Sequence, residues 1–127
     1  MIDPTVKELA QGKNFAALTT LFADGQPQTQ IMWVDADDEH VLINTEVHRQ
    51  KFANVEKDPR VTLAIFDADN PYHYAEVRGR VVGVVRGDEA RAHIDTLSAK
   101  YTGGPYAGPI QSERVILKIA PARQRSQ

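Results

Sequence analysis

A mainly β fold, with six strands closing into a small, largely antiparallel barrel and helices inserted between them, is what this sequence predicts. Three observations carry that expectation. Short runs rich in β-branched and aromatic residues alternate apolar and polar positions, as half-buried strands do. Turn signals recur between them: Asp24-Gly25, the acidic Ala36–Glu39, Asp58-Pro59 and Asp67–Pro71. Finally, the run Tyr72–Val85 is too long to lie flat in a small protein, and Gly79 and Gly83 are where it would bend. An open sheet would leave an edge to protect, so closure or dimerisation is expected.

The elements follow in order. Asp3 can cap a first helix, with Pro4 at its first position, Val6, Leu9 and Ala10 on its apolar side and Gly12 at its end. Phe15–Phe22 reads as a strand and returns through the Asp24-Gly25 hairpin as Pro27–Asp35. His40–Glu46 is the third strand, with Val41 and Ile43 on one face and Leu42 and Asn44 on the other. A short helix begins at about Gln50 and stops at Asp58-Pro59, before the strand Arg60–Phe66. In the long strand, Ala75, Val77, Gly79, Val81 and Val85 face one way and Tyr74, Glu76, Arg78 and Arg80 the other. Gly87-Asp88 opens a helix with Ala90, Ile94, Leu97 and Tyr101 on one stripe, closed by Gly103. Arg114–Ala120 is the last strand, and the tail Pro121–Gln127 is expected to be loosely held.

Composition bounds what the chain can do. Its 127 residues suit one domain spanning positions 1–127, and no repeat or linker divides them. A net charge of −2 argues against general nucleic-acid binding. The chain has no cysteine, hence no disulfide or thiolate metal site. The start MIDPTVKELAQG has no signal-peptide pattern, and no stretch is long and apolar enough for a membrane span, so a cytoplasmic protein is expected. The four histidines lack metal-ligand spacing, and the three serines form no nucleophile elbow. No residue stands out as a catalytic acid or base.

The stretch Asn44–Phe66 is the most informative. If its helix starts at Gln50, Arg49 and Lys51 lie at the first turn, where free backbone N–H groups and the positive end of the helix dipole converge. Such a place attracts phosphate. The same residues also read as a solvated helix face with Phe52 and Val55 packed inward, and the spacing alone leaves both readings open.

PQTQIMWVD, NTEVHRQKFANVEKDPRVTL and DADNPYHYAEVRGRV, in that order, resemble the flavin/deazaflavin oxidoreductase superfamily. This is the FMN-binding-like split β-barrel group related to pyridoxamine 5′-phosphate oxidase, and the likeness is to its branch using the deazaflavin coenzyme F420. It spans about Phe15 to Ile119, and its most specific segment is Arg-x-Lys-x-x-Asn followed by Asp-Pro-Arg-Val. The resemblance implies a homodimer with cofactor grooves at the subunit interface. It implies that Thr45, Arg49, Lys51 and Asn54 surround the cofactor's phosphate and tail, and that Gln30, Ile31, Met32 and Trp33 lie along the tricyclic ring. Tyr72 and Tyr74 match aromatic positions that reach the cofactor from the other subunit, although Trp33 and both tyrosines also suit ordinary packing. Arg49 and Lys51 are expected to be solvated when no ligand is bound. The implied activity is hydride transfer from reduced F420 to an activated double bond of a small organic acceptor. Alternatives are an FMN-dependent oxidoreductase of the pyridoxamine 5′-phosphate oxidase type, or a protein that binds flavin, deazaflavin or haem without turnover. Pyridoxamine 5′-phosphate oxidases proper continue into a longer basic C-terminal segment. Vitamin B6 oxidation is therefore not expected, and a substrate pocket would come from Tyr101–Pro109 and the partner subunit.

Overall fold

The computed structural model describes residues 1–127 as three helices and one antiparallel sheet of seven strands. The elements are α1 (Pro4–Gln11), β1 (Phe15–Leu21), β2 (Pro27–Met32), β3 (Asp35–Ala36), β4 (Val41–Glu46), α2 (Gln50–Lys57), β5 (Arg60–Phe66), β6 (Tyr74–Val85), α3 (Asp88–Thr102) and β7 (Arg114–Ser126). Strand order across the sheet is β2-β1-β5-β6-β7-β4-β3. The two edge strands are neighbours in sequence, separated only by Trp33 and Val34. At under 4 Å per residue, a link that short holds the edges within roughly 11 Å of each other. The sheet therefore curls almost completely round, leaving a split between its edges.

Alternation decides what fills the barrel. Leu18, Leu63, Ile65, Val77, Ile43, Leu117 and Ile119 point inward and are almost wholly buried in one cluster of 20 residues. Burying each such side chain stabilises the fold by about 1.5–3 kcal/mol. α1 packs against β3, β5, β6 and β7 and contributes Val6, Leu9 and Ala10 to that cluster. Its expected cap is present, with Thr5 N donating to Asp3 Oδ1 at 2.9 Å. α2 adds Phe52 and Val55. α3 sits apart, its Ile94, Leu97 and Tyr101 forming a second cluster with Phe15, Trp33 and Tyr106. No helix is long and apolar enough to cross a membrane.

Four expectations need correction. The sheet has seven strands rather than six, because the run expected to end at Asp35 stops at Met32 and a two-residue strand follows. Trp33 and Val34 break the ladder in crossing from one edge to the other. Tyr72 lies in a turn rather than at the start of β6, with its N–H donating to Asn70 Oδ1 at 3.3 Å. Pro71 just before it has no N–H to give a ladder. The segment after Ala120 is not loose: β7 runs on to Ser126 and pairs with β6 as far as Ala75. Pro121 made that segment read as coil, yet it falls at the register shift beside Gly79, where the ladder is irregular and a missing donor costs little. Of the two glycines expected to allow bending, Gly79 is the close approach. A Cβ there would stand 2.2 Å from the carbonyl oxygen of Ala120, whereas at Gly83 the nearest atom is 3.7 Å away.

Candidate functional site

The split between β2 and β4 holds a cavity of about 320 Å³ lined by six hydrophobic residues and six polar or charged ones. β2 supplies Gln30, Ile31 and Met32, and the crossing segment supplies Trp33. The outer edge of β2 pairs with no strand, so its backbone groups are available on that side. Across the gap stand Asn44 and Thr45 of β4, Arg49 and Lys51 at the start of α2, Ile94 and Leu97 of α3, Tyr106, and Arg114 of β7.

One wall is flat and apolar, and the aromatic side chains explain why it keeps its shape. Trp33 stacks on Tyr101 and meets Tyr106 edge-on, with centroids 6.2 Å apart. The Tyr101 hydroxyl accepts from Val34 N at 3.1 Å and donates to the carbonyl of Asn14. Lys100 Nζ donates to the carbonyl oxygens of Val34 (2.7 Å) and Ala10 (3.0 Å). The end of α3 thus clamps the two residues that join the sheet's edges. Burial disfavours charge on Lys100, which lies below its usual pKa despite Asp35 nearby.

The opposite wall is cationic. Arg49 is the residue before α2 and caps it with no side-chain hydrogen bond. Gln50 and Lys51, the first two residues of that helix, find no backbone acceptor for their N–H groups. Lys51 is buried, which corrects the expectation that it is solvated; Arg49 remains half exposed. The Lys51 ammonium has no salt-bridge or hydrogen-bond partner, and burial, followed by repulsion from Arg49 and Arg114, lowers its pKa. Arg114 is also buried, and its guanidinium lies 5.4 Å from the Tyr106 ring centroid.

A single carboxylate answers these three cations. Glu46 is 1% exposed, and its Oε1 accepts from the N–H groups of Gln111 (2.7 Å) and Ser112 (2.8 Å). Its Oε2 lies 3.3 Å from Arg114 Nη1 and 3.6 Å from Arg49 Nη2. Burial pushes the Glu46 carboxyl up, but the Ser112 and Gln111 N–H groups, then Arg114 and His48, outweigh it and hold it below the ordinary value. Three cations against one carboxylate leave the wall positive, with one ammonium uncompensated. An anion there would satisfy Lys51 and the two free N–H groups together.

Seven of the ten residues named from the sequence line this cavity: Gln30, Ile31, Met32, Trp33, Thr45, Arg49 and Lys51. Asn54 does not. It is buried behind α2, donating to Thr20 Oγ1 at 2.9 Å and accepting from Gln50 Nε2 at 2.8 Å, so it ties the helix to β1. Tyr72 is exposed on its turn, and Tyr74 lines a separate pocket with Glu76, Arg78 and Arg125. Sequence reasoning missed Asn44, Ile94, Leu97 and Arg114. Arg114 opens an apolar run 63 residues after Lys51, and only the β4–β7 register brings it beside Glu46.

The family profile described as pyridoxamine 5′-phosphate oxidase matches residues 2–127. Among solved structures, an F420 reductase is 32% identical, with 99% of this chain and 100% of that one covered at a TM-score of 0.84. A conserved hypothetical protein from Mycobacterium tuberculosis is 26% identical over 99% of this chain and 84% of that one, TM-score 0.78. The heme storage protein HutZ from Vibrio cholerae shares the fold alone, at 14% identity over 98% and 93% of the two chains and a TM-score of 0.68. No curated protein matches the chain.

Proposed function

The chain belongs to the pyridoxamine 5′-phosphate oxidase-like family of split β-barrels, and from that membership we propose that it is an F420-dependent oxidoreductase. The observation that carries this reading is the uncompensated Lys51 ammonium beside Arg49, facing a flat wall at Gln30–Trp33. The similarity to an F420 reductase supports the choice of cofactor.

In this reading the residues divide the cofactor between two walls. Arg49, Lys51, the Thr45 hydroxyl and the free N–H groups of Gln50 and Lys51 hold its phosphate. Ile31, Met32 and Trp33 flank the ring, and Gln30 can donate or accept at the ring's polar edge. When bound, a reduced deazaflavin would supply the hydride chemistry for a small acceptor with an activated double bond. The protein's part is to bind, orient and keep water from the flat wall. A cavity of about 320 Å³ is near the lower bound of ligand pockets. A second subunit covering the open side would complete it, and in this reading Tyr72 and Tyr74 of that subunit reach the cofactor. The 127 residues act in this reading as one cytoplasmic cofactor-binding domain.

Fluorescence titration with F420 and, separately, FMN tests the assignment. Tighter binding of F420, and oxidation of the reduced cofactor on adding an enone or imine, is the expected outcome. Preference for FMN would move the chain to the flavin side of its family, and a purified protein with a Soret band would point to haem binding. Light scattering should give twice the mass of one chain at micromolar concentration; a monomer would leave the cavity without its second wall.

A further inference from the structure

Behind the cationic wall runs a line of polar side chains that phosphate binding does not account for. Arg114 Nε, which can only donate, bonds Asn44 Oδ1 at 2.8 Å. The Ala90 carbonyl, which can only accept, takes Asn44 Nδ2 at 3.0 Å. These two contacts fix which way the Asn44 amide points. The same Nδ2 lies 3.0 Å from His93 Nδ1, so that ring nitrogen must be the bare acceptor. The ring proton is therefore on Nε2, where it donates to Asp35 Oδ2 at 3.0 Å. Asp35, His93, Asn44 and Arg114 form one chain with one direction of donation. Its far end lines the cavity.

Arg114 is held on three sides: by Asn44 at Nε, by Glu46 at Nη1 (3.3 Å) and by the Tyr106 ring. Its Nη2 has no protein partner. We propose that Arg114 is a third anion ligand of the cavity and that His93 positions it through Asn44, so that anion binding weakens when His93 gains a second proton. The idea rests on the cofactor reading for the identity of the anion but not for the coupling itself.

The physics is a conflict of donors. A proton on His93 Nδ1 would face the Asn44 NH₂ group, and two donors cannot bond. The amide would have to turn over, presenting Oδ1 to His93 and its NH₂ to Arg114 Nε. That turn gives up both the Ala90 and the Arg114 hydrogen bonds. Released at Nε, the guanidinium no longer has one fixed orientation. Charged neighbours bear on the balance from every side. Asp35 favours the imidazolium; Lys100, which acts on Asp35 from further along α3, and Arg114 beyond Asn44 oppose it. Glu46 is already engaged with Arg114, Gln111 and Ser112, and Arg91 with Asp95. The ring is largely buried, so solvent does not relieve the clash.

Nitrogen NMR of the ligand-free protein tests the coupling first. With the ring neutral, His93 should show the Nε2–H tautomer and the Arg114 Nε–H should exchange slowly with solvent; once acidification protonates the ring, the two signals should change together. F420 affinity should fall about threefold to tenfold, relative to His93→Gln under the same conditions, when His93 becomes protonated, the worth of one hydrogen bond. His93→Gln offers a donor and an acceptor but cannot protonate, so its affinity should vary less than about twofold over the same acidification. Asn44→Asp gives up the Ala90 hydrogen bond but can accept from both His93 and Arg114, and should keep the Arg114 Nε–H protected at acid pH. Either variant is informative if the other fails to fold. An Arg114 signal indifferent to His93 protonation, or the wild-type pH dependence persisting in His93→Gln, would overturn the proposal. Coupled NMR changes with no F420 binding at any pH would instead sink the cofactor reading and leave the coupling standing.

Discussion

Trp33 lies flat on Tyr101, ring centroids 4.9 Å apart and planes 4° from parallel, so the last helix is bonded to the seam of the sheet. The Tyr101 hydroxyl completes that bond by satisfying Val34 N and the Asn14 carbonyl. Tyr101→Phe keeps the stack and removes only the hydroxyl, leaving the buried Val34 N–H and the part-buried Asn14 carbonyl without it. A loss of about 1–3 kcal/mol in urea unfolding is expected. If the variant matches wild type, the seam is held by Lys100 and packing alone.

Gly79 and Gly83 should part company on substitution. Gly79→Val forces a side chain onto the Ala120 backbone and should cost about 1–3 kcal/mol or more. Gly83→Ala adds an ordinary contact with Lys118 and should melt within a degree or two of wild type. Equal melting temperatures for all three proteins would place the bend elsewhere.

Arg49→Ala and Lys51→Ala should each weaken F420 binding by about 1.5–3 kcal/mol, roughly tenfold to a hundredfold or slightly more. Arg49→Lys should recover part of this, because an ammonium cannot grip two oxygens as a guanidinium does. The stability readout separates the two positions. Lys51 is buried beside two other cations, so Lys51→Met should raise the melting temperature of the ligand-free protein while reducing the gain on adding F420. The pH sign follows: with its pKa lowered in the fold, Lys51 destabilises fully at neutral pH and less as pH rises toward 10.5. A Lys51→Met protein that melts earlier would mean the ammonium has a stabilising partner.

Glu46 predicts the acid limb. Its pKa is lowered in the fold, so its stabilising contribution is present above 4.5 and is lost as pH falls below that value. Glu46→Gln should be less stable by about 1–3 kcal/mol at neutral pH, since Arg114 loses its counterion while Gln111 and Ser112 keep an acceptor. The two stability curves should converge only once pH has fallen below the lowered pKa of Glu46, where both side chains are neutral. Parallel curves would show that the carboxylate's charge is immaterial.

The sequence was most legible where backbone chemistry and side-chain chemistry agree. Asp3, Pro4 and Gly12 bound α1, and Asp58-Pro59 stopped α2 where expected. The local half of the site was legible for the same reason, because Gln30–Trp33 and Thr45–Lys51 are each continuous in sequence. The distant half was not. Register sets Arg114 opposite Glu46 and two residues along from Asn44, which no local pattern encodes, and the burial of Lys51 was not written in its local sequence either. Asn54 shares the motif but points into α2's contact with β1, a matter of helix rotation that spacing alone did not fix.

The position of β7 bears on how the protein comes into being. Residues 114–126 are synthesised after every other strand, yet they pair with β6 on one side and β4 on the other. Until they leave the ribosome, β2-β1-β5-β6 and β4-β3 are separate fragments, and β6 and β4 each present a bare edge that the finished protein hides. The cationic wall is equally incomplete, because Arg114 arrives with that strand. A nascent chain of this protein is thus a sheet in two pieces, open to mispairing until β7 is made, and that strand delivers closure and binding chemistry at one stroke.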